Sequence, residues 1–401
     1  MTQIPMAHSV RKAIDQSLPP HIQRLANNQI VKIADLARDD PNVIKLWIGE
    51  SDLATPDFIT EATIAALHEG YTRYTYSLGL PLLREALARY HQRHWGVEVD
   101  PNRFSPTVGG MNAMMQVFQS LFSPGDELVI PVPTWPNIME VTNIVGGTVV
   151  PVAYEISDDG TVTLDLDRLF GAVTPKTKAI AINSPANPTG WVMPREEMIA
   201  LRDFARERGI WIIADEVYAH FVYEMPAPTP SFLQICEPDE RLMVTNTFSK
   251  NWCMTGWRSG WVIFPTGMSK LFDRLSQYNT TSTPTFIQRG CIAALDQGDD
   301  FIKMQVERCR HSCEIFYQAL RELPNVTVYK PKGSFYMWFA VDGVTDGYEL
   351  AVRVLKEKSV GIAPGSAFGP GGERFLRLCF AIDPALAEEA VERLVPILRA
   401  A

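Results

Sequence analysis

The chain has 401 residues, which at roughly 100–200 residues per domain indicates two or three compact units, or one large α/β body with a smaller partner. Hydrophobic residues make up 46% and charged residues 21%, a composition that excludes a disordered or fibrous chain. The formal net charge of -9 gives no overall attraction to nucleic acid or anionic lipid, so neither is expected as a partner.

The sequence also bears on location and on metal binding. No apolar run reaches the roughly 20 residues of a membrane-spanning helix, and the N-terminal stretch has no signal-peptide core, so we expect a cytoplasmic protein. The six cysteines form no C-x-x-C pair, which favours reduced thiols over disulfides or zinc. His91 and His94 could share a helix face as metal ligands, but a solvated helix face is the preferred interpretation, and we expect no metal.

In chain order, the first predicted element is an amphipathic helix over residues 22–38. Residues 104–264 then alternate short β-rich runs with helical stretches, including a helix over 195–208 that Pro194 opens and Gly209 closes. This alternation predicts a largely parallel sheet covered by helices on both faces. The candidate strands are residues 127–131, 148–153, 178–183, 211–214, 242–247 and 260–264.

The last third of the chain has a different pattern that predicts a smaller α+β unit. It contains helical stretches over 288–323, 347–358 and 384–398, and short strands near 327–329, 335–339 and 374–380. We therefore expect an α/β protein with a large and a small domain. The predicted division is 1–48 as a segment packing on the small domain, 49–287 as the large domain and 288–401 as the small domain.

Polar segments follow three consecutive candidate strands. They are residues 183–190, residues 214–218, and residues 247–250 with Arg258 eight positions later. The carboxyl ends of parallel strands meet at one sheet edge, where α/β proteins bind ligands. Because each buried polar group needs a partner, this concentration of carboxylate, amide, lysine and arginine predicts a functional site.

Four motifs in this order resemble those of a known enzyme family: A-I-N-S-P-A-N-P-T-G, A-D-E-V-Y, T-F-S-K-N-W-C-M-T-G-W-R-S-G and R-L-C-F-A. The chain resembles, over nearly its whole length, the fold-type I aminotransferases of class I/II that depend on pyridoxal 5'-phosphate. The resemblance implies a homodimer with shared active sites. It also implies a ping-pong exchange of amino and keto groups between an L-amino acid and a 2-oxo acid.

The resemblance assigns the catalytic roles. It implies that Lys250 binds the cofactor aldehyde and later moves the substrate α-proton, which requires a lowered pKa. Asp215 would pair with the pyridine nitrogen, and Tyr218 and Asn187 would hydrogen-bond the phenolate oxygen of the ring.

The remaining site residues also follow from the resemblance. The phosphate would be held by Thr247, Ser249 and Arg258, with the start of a helix predicted over 112–121 adding N–H donors. The residues at that helix start are Gly110, Met111 and Asn112. Trp135 would stack on the cofactor, and Tyr74 would reach the cofactor phosphate of the neighbouring subunit. The substrate would be held by Arg377 at its α-carboxylate, with Gly49, Asn187 and Trp135 lining the cleft.

Departures from the family pattern bear on specificity. Thr247 retains the hydroxyl that phosphate binding needs, whereas Cys253 and Ser259 indicate a divergent branch. Met111 stands where an aspartate-handling branch has a lysine, and Ile22 and Trp47 would add apolar surface, so neutral or aromatic amino acids are expected to react better than aspartate. A β-lyase (C–S lyase) and an aspartate aminotransferase proper remain alternatives. A transcriptional regulator is disfavoured because the chain shows no basic recognition helix.

Overall fold

The computed structural model describes residues 17–157 and 159–401. Fifteen strands are found in these residues. They are β1 Ile44–Lys45, β2 Phe104–Thr107, β3 Glu127–Val132, β4 Thr148–Ala153, β5 Glu155–Ile156, β6 Val162–Thr163, β7 Thr177–Asn183, β8 Trp211–Asp215, β9 Leu242–Thr247, β10 Gly260–Ile263, β11 Val326–Val328, β12 Tyr336–Val341, β13 Val360–Gly361, β14 Ala363–Pro364 and β15 Phe375–Cys379.

Helices connect these strands throughout the described chain. They are α1 Pro20–Gln23, α2 Gln29–Ala34, α3 Asp57–His68, α4 Pro81–Trp95, α5 Gly110–Leu121, α6 Pro136–Ile144, α7 Leu166–Gly171, α8 Arg195–Arg208, α9 Phe248–Asn251, α10 Ser269–Asn279, α11 Thr285–Gln297, α12 Asp299–Arg321, α13 Gly347–Lys358 and α14 Pro384–Arg399. Short 3-10 turns lie at Pro101–Arg103, Phe232–Gln234 and Gly365–Phe368.

The central sheet has seven strands in the order β2-β10-β9-β8-β7-β3-β4. All neighbouring strands are parallel except β10, which runs antiparallel to both β2 and β9. The predicted mostly parallel α/β sheet is therefore confirmed. Strand β2 was not predicted from the sequence, because Phe-Ser-Pro-Thr contains a proline and lacks an apolar run.

Both faces of this sheet are buried. Along β7, Ile180 and Ile182 belong to one hydrophobic cluster, whereas Ala179 and Ala181 belong to the other. Successive side chains of a strand point to opposite faces, so helices must cover both sides. Continuous apolar strands of this kind are typical of a doubly covered parallel sheet.

The C-terminal part contains an antiparallel sheet in the order β11-β12-β15-β14. Near the N-terminus, β1 pairs in parallel with β13, with Ile44 opposite Val360. The predicted boundary after residue 287 lies inside helix α11, which packs against α3 and α4. The division of the chain into domains stays a prediction.

The single helix predicted over 22–38 is wrong. The structure has two short helices, α1 and α2, separated by residues 24–28. The Asn28 side chain accepts hydrogen bonds from the N–H groups of Ile30 and Val31, and an asparagine in this position starts a new helix. Apolar periodicity alone did not reveal this internal cap.

The helix predicted over 288–323 is also divided, into α11 and α12, at Gly298. A Cβ atom at Gly298 would lie 2.1 Å from Nε1 of Trp252. Only glycine allows the chain to pass this close to the indole, and the acidic Asp299 and Asp300 then begin the next helix.

The interpretation of His91 and His94 on a solvated face is wrong for His91. Its ring is only 1% exposed and is stacked on Trp95. His94 is partly exposed and its Nε2 lies 3.1 Å from Asp299 Oδ1. Within the described residues, no helix is both long enough and apolar enough to span a bilayer.

Candidate active site

The ends of three adjacent parallel strands form the centre of the site. Asn183 of β7 is opposite Asp215 of β8, and Asp215 is opposite Thr245 of β9. A cavity of about 340 Å³ opens beyond these ends. It is lined by every predicted site residue except Asn112 and Tyr74, namely Gly49, Gly110, Met111, Trp135, Asn187, Asp215, Tyr218, Thr247, Ser249, Lys250, Arg258 and Arg377.

Lys250 lies on the short helix α9, directly after β9. Thr247 caps this helix, because its hydroxyl accepts a hydrogen bond of 3.1 Å from the N–H of Ser249. The Lys250 Nζ donates to the carbonyl of Gly49 over 2.6 Å. Burial lowers the pKa of Lys250 to about 8, so about a tenth of the amine is neutral and nucleophilic at pH 7, far more than for an exposed lysine.

Asp215 is the last residue of β8 and is buried. Its Oδ1 has no hydrogen-bond partner in the described part of the chain. Burial raises the pKa of this carboxyl to about 7, since desolvation disfavours the charged form. A buried carboxylate oxygen without a donor is costly, so this atom is placed to receive a proton donor from a bound molecule.

Tyr336 belongs to the site although the sequence did not indicate it. Its hydroxyl lies 2.7 Å from that of Tyr218, and both rings are buried. A Cβ atom at Gly49 would lie 1.7 Å from Tyr336 Oη, which explains why the segment before Glu50 carries glycine there. Only the pairing of distant chain segments reveals this contact.

Arg377 of β15 is only 2% exposed and has neutral partners. Its Nη1 donates to Asn187 Oδ1 over 3.1 Å and its Nη2 donates to the carbonyl of Trp47. The guanidinium lies 4.3 Å from the centre of the Tyr336 ring, and Nε has no partner in the described residues. A buried cation without a carboxylate calls for an anionic ligand.

A second cationic group adjoins the start of helix α5. Gly109 has φ 81°, and a Cβ atom there would lie 2.4 Å from Arg258 Nη2. Glycine therefore lets the guanidinium approach the backbone at the helix N-terminus. Gly110 and Met111, the first residues of α5, line the cavity, and initial N–H groups of a helix favour anions. The predicted helix start at 112 is two residues late.

Asn112 and Tyr74 lie outside the cavity. The Asn112 Oδ1 accepts from the N–H of Val108 over 3.2 Å, and its Nδ2 donates to Asn279, so the side chain braces the loop before α5. The Tyr74 side chain is 93% exposed. The structure does not bring either side chain into the site of its own chain.

Several lining residues come from the N-terminal helix α2 and the residues on either side of it. They are Asn28, Ile30, Val31, Ala34 and Arg38. Ile30 and Ala34 are four positions apart within α2, a spacing that places them on one helix face, whereas Asn28 caps the helix and Arg38 follows its end. Ile22, which was expected in the pocket, does not line it, because α1 ends at Gln23 and α2 supplies this wall.

The comparison with known proteins decides the family. The sequence profile described as "Aminotransferase class I and II" matches residues 41–394. The chain belongs to this family. It is 35% identical to an aspartate aminotransferase of Pyrococcus abyssi, over 93% of this chain and 96% of that protein. It is 33% identical to aromatic-amino-acid aminotransferase 2 of Thermococcus litoralis, over 96% and 98%.

A solved structure agrees with the fold. The alanine aminotransferase of Pyrococcus furiosus superposes with a TM-score of 0.88 at 28% identity, covering 96% of this chain and 100% of that one. The protein is an aminotransferase, and the resemblance drawn from the four motifs is confirmed.

Proposed function

We propose that this aminotransferase holds pyridoxal 5'-phosphate in the cavity at the ends of β7, β8 and β9. It would exchange the amino group between an L-amino acid and a 2-oxo acid by a ping-pong mechanism. The observation that carries the proposal is the pairing in one cavity of Lys250, with its lowered pKa, and Asp215, with its unpartnered buried Oδ1.

The residues present fit this cofactor. The orphaned oxygen of Asp215 matches a protonated pyridine nitrogen, and the Tyr218 hydroxyl and the Asn187 amide face the same cavity. Gly110, Thr247, Ser249 and Arg258 provide an N–H group, two hydroxyls and a guanidinium that suit a phosphate. When bound, the cofactor supplies an aldehyde that takes up the amino group and a ring that withdraws electrons from the substrate carbon.

Lys250 would hold and move the proton. Its Nζ is fixed by the Gly49 carbonyl and, once neutral, can accept the α-proton of the substrate and return it to another carbon. Asp215 would keep the ring nitrogen protonated through a charge-assisted hydrogen bond. Tyr218 would donate to the ring oxygen, and its hydroxyl is oriented by that of Tyr336.

Arg377 would bind the α-carboxylate of the substrate. The contacts to Asn187 and Trp47 fix the guanidinium plane, so little conformational entropy is lost on binding. The unpaired Nε and the buried charge are satisfied when a carboxylate arrives.

The apolar part of the cavity lining supports a neutral or aromatic substrate. Met111, Ile30, Val31 and Trp47 line it, and the Met111 Sδ accepts a hydrogen bond of 3.1 Å from Asn137 Nδ2. A thioether cannot pair with a carboxylate, and the Arg38 guanidinium, which also lines the cavity, is already paired with Asp35 over 2.7 Å. An acidic substrate that lacks a charge partner loses about 2–5 kcal/mol. Relatives named for aspartate and for aromatic amino acids have similar identity to this chain, so sequence identity does not choose between them.

The enzyme would act as a homodimer in the cytoplasm. Tyr74 is fully solvent-facing in the single chain, as expected of a side chain that completes the site of a second copy. All six cysteines are free thiols, which supports a reducing compartment.

The test is a panel of half-reactions. Protein loaded with pyridoxal 5'-phosphate is mixed with methionine, phenylalanine, alanine, aspartate or glutamate, and the change in cofactor absorbance is followed. We expect kcat/KM for phenylalanine and methionine to exceed that for aspartate at least tenfold. A clear preference for aspartate contradicts the proposed specificity, and pyruvate release from a cysteine conjugate without transamination contradicts the reaction itself.

A further inference from the structure

Cys253, a departure from the family pattern, lies three residues after Lys250. Its φ of 53° is in the left-handed region, which is uncommon for a residue with a Cβ atom. The chain therefore turns sharply just after the lysine helix. The Cys253 Sγ donates to Gln305 Oε1 over 3.2 Å, so this turn has a specific contact with helix α12.

Gln305 is only 2% exposed and its amide is fully used. While Oε1 accepts from Cys253, Nε2 donates to the carbonyl of Asn251 over 2.7 Å and to that of Lys250 over 3.4 Å. The last carbonyls of a helix have no partner within it. Helix α9 has four residues, so these contacts cap its end from another element. The two carbonyls can only accept and therefore fix Nε2 on their side, while the thiol contacts Oε1.

The same face of α12 makes two further contacts, the first with a segment next to the site and the second with Ile382, which does not line the cavity. One turn beyond Gln305, Arg308 Nη2 donates to Asp52 Oδ2 over 2.8 Å. Further along, the Ser312 hydroxyl donates to the carbonyl of Ile382 over 2.8 Å. Asp52 lies three residues after Gly49, whose carbonyl accepts from the Lys250 amine. Helix α12 therefore contacts the main chain of Lys250 and also a residue close to the group that binds its amine.

We propose that Gln305 is a positioning residue that fixes the main chain of Lys250, with Cys253 supporting it through a hydrogen bond to its Oε1. This rests on the proposed function, in which Lys250 is the reactive lysine. A lysine that both binds the cofactor aldehyde and moves a proton must swing its side chain from a fixed Cα atom, because small misplacements of reacting groups slow catalysis strongly. Gln305 fixes the position of this Cα atom through its hydrogen bonds to the carbonyls of Lys250 and Asn251.

The first test compares Gln305→Leu with the matched control Ser312→Ala. Both remove a buried side-chain donor to a backbone carbonyl on the same face of α12, but only Gln305 contacts the lysine segment. We expect kcat to fall about tenfold or more in Gln305→Leu with KM changed less than threefold, whereas Ser312→Ala keeps kcat at a similar melting temperature. Equal kcat values in the two variants overturn the proposal.

A second readout needs no cofactor. Reductive methylation of Lys250 in the cofactor-free protein, followed by peptide mass spectrometry across pH, reports the pKa of the amine. We expect Gln305→Leu to raise this pKa toward that of an exposed lysine, and Ser312→Ala to leave it unchanged. An unchanged pKa in Gln305→Leu counts against the positioning role. If Lys250→Ala retains activity, it is the proposed function that fails, and the two failures are thereby distinguished.

The third test uses variants of Cys253, and it still tests the proposal if Gln305→Leu does not fold. Cys253→Ser keeps a hydrogen-bond donor at the same left-handed position, whereas Cys253→Ala removes it with the same backbone requirement. We expect Cys253→Ser to retain most of kcat and Cys253→Ala to lose several-fold. Equal activity in the two variants overturns the role of the thiol in supporting Gln305.

Discussion

At the residue scale, burial decides the protonation of the two groups on which the proposed chemistry depends. It lowers the pKa of Lys250 to about 8 and raises that of Asp215 to about 7. Both shifts have the same cause, since desolvation disfavours the charged form of either group. The site therefore presents a nucleophilic amine and a carboxyl that gains its charge when a protonated partner binds.

Lys250→Ala tests the central assignment. We expect kcat to fall by at least about 100-fold, because no other group takes over proton transfer. In the unaltered enzyme, borohydride should fix the cofactor to the peptide that carries Lys250, as read by mass spectrometry. The exposed Lys303, replaced by alanine, serves as control and should leave both results unchanged. Borohydride labelling of another lysine would contradict the assignment.

Asp215→Asn should stabilise the cofactor-free protein while destroying catalysis. The folded pKa of about 7 lies above the unfolded value of about 3.9, so the folded state binds more protons between these values and loses stability as pH rises through this window. The advantage of Asp215→Asn in melting temperature should thus be absent at pH 4, grow up to pH 7 and then stay constant. A constant difference across pH would show that the carboxyl is not shifted.

At the element scale, a steric contact and a helix cap decide where two of the helices are divided. Helices α11 and α12 are distinct because Gly298 lies against Trp252, and α2 begins anew because Asn28 caps it. The helix that begins after each break contributes to the site or its surroundings, since α2 lines the cavity and α12 carries Gln305. Apolar periodicity continues through both breaks and therefore does not reveal them.

Gly298→Ala should destabilise the protein by about 1–3 kcal/mol, the range for overpacking a buried contact, because its Cβ atom would lie 2.1 Å from the Trp252 indole. The matched control is Gly171→Ala, at the end of α7, where an added Cβ atom meets nothing within 4 Å. Chemical denaturation measures both. Similar stability in the two variants would contradict the steric explanation of the break.

At the scale of the whole molecule, exposed apolar side chains support a dimer. They lie on α3, α4 and α10 and in the loop between α3 and α4, and include Leu67, Tyr74, Tyr76, Leu82 and Tyr278. Three of these five side chains are tyrosines, and aromatic residues are enriched at protein–protein interfaces. We propose that a second copy of the chain covers them.

Subunit complementation tests this assembly. Lys250→Ala and Tyr74→Ala are each expected to be inactive, but after mixing and subunit exchange some hybrid dimers contain one intact site, so activity should return to about a quarter of normal or less. Lys250→Ala mixed with itself is the control, and light scattering verifies the dimer. Exchange without recovered activity would show that Tyr74 serves its own subunit.

The parallel sheet and the family were predicted correctly from the sequence alone, and the predicted site residues other than Asn112 and Tyr74 line one cavity. Strands such as β4 and β9 were predicted with their observed bounds because they are short apolar runs between turn-forming residues. The roles of Asp215 and Lys250 were implied by the resemblance to the family. Asp215 ends β8 and Lys250 lies on the short helix after β9, where parallel topology brings functional side chains together.

The contacts between distant segments of the chain were not predictable from the sequence. Tyr336 against Gly49, Gln305 against the end of α9, and the α2 wall of the cavity all join residues far apart in the chain. Nothing in the local pattern of Tyr336 or Gln305 distinguishes them from ordinary core residues, since both lie in segments with apolar periodicity. Their roles arise from close packing and hydrogen bonding across elements, and these depend on the fold as a whole.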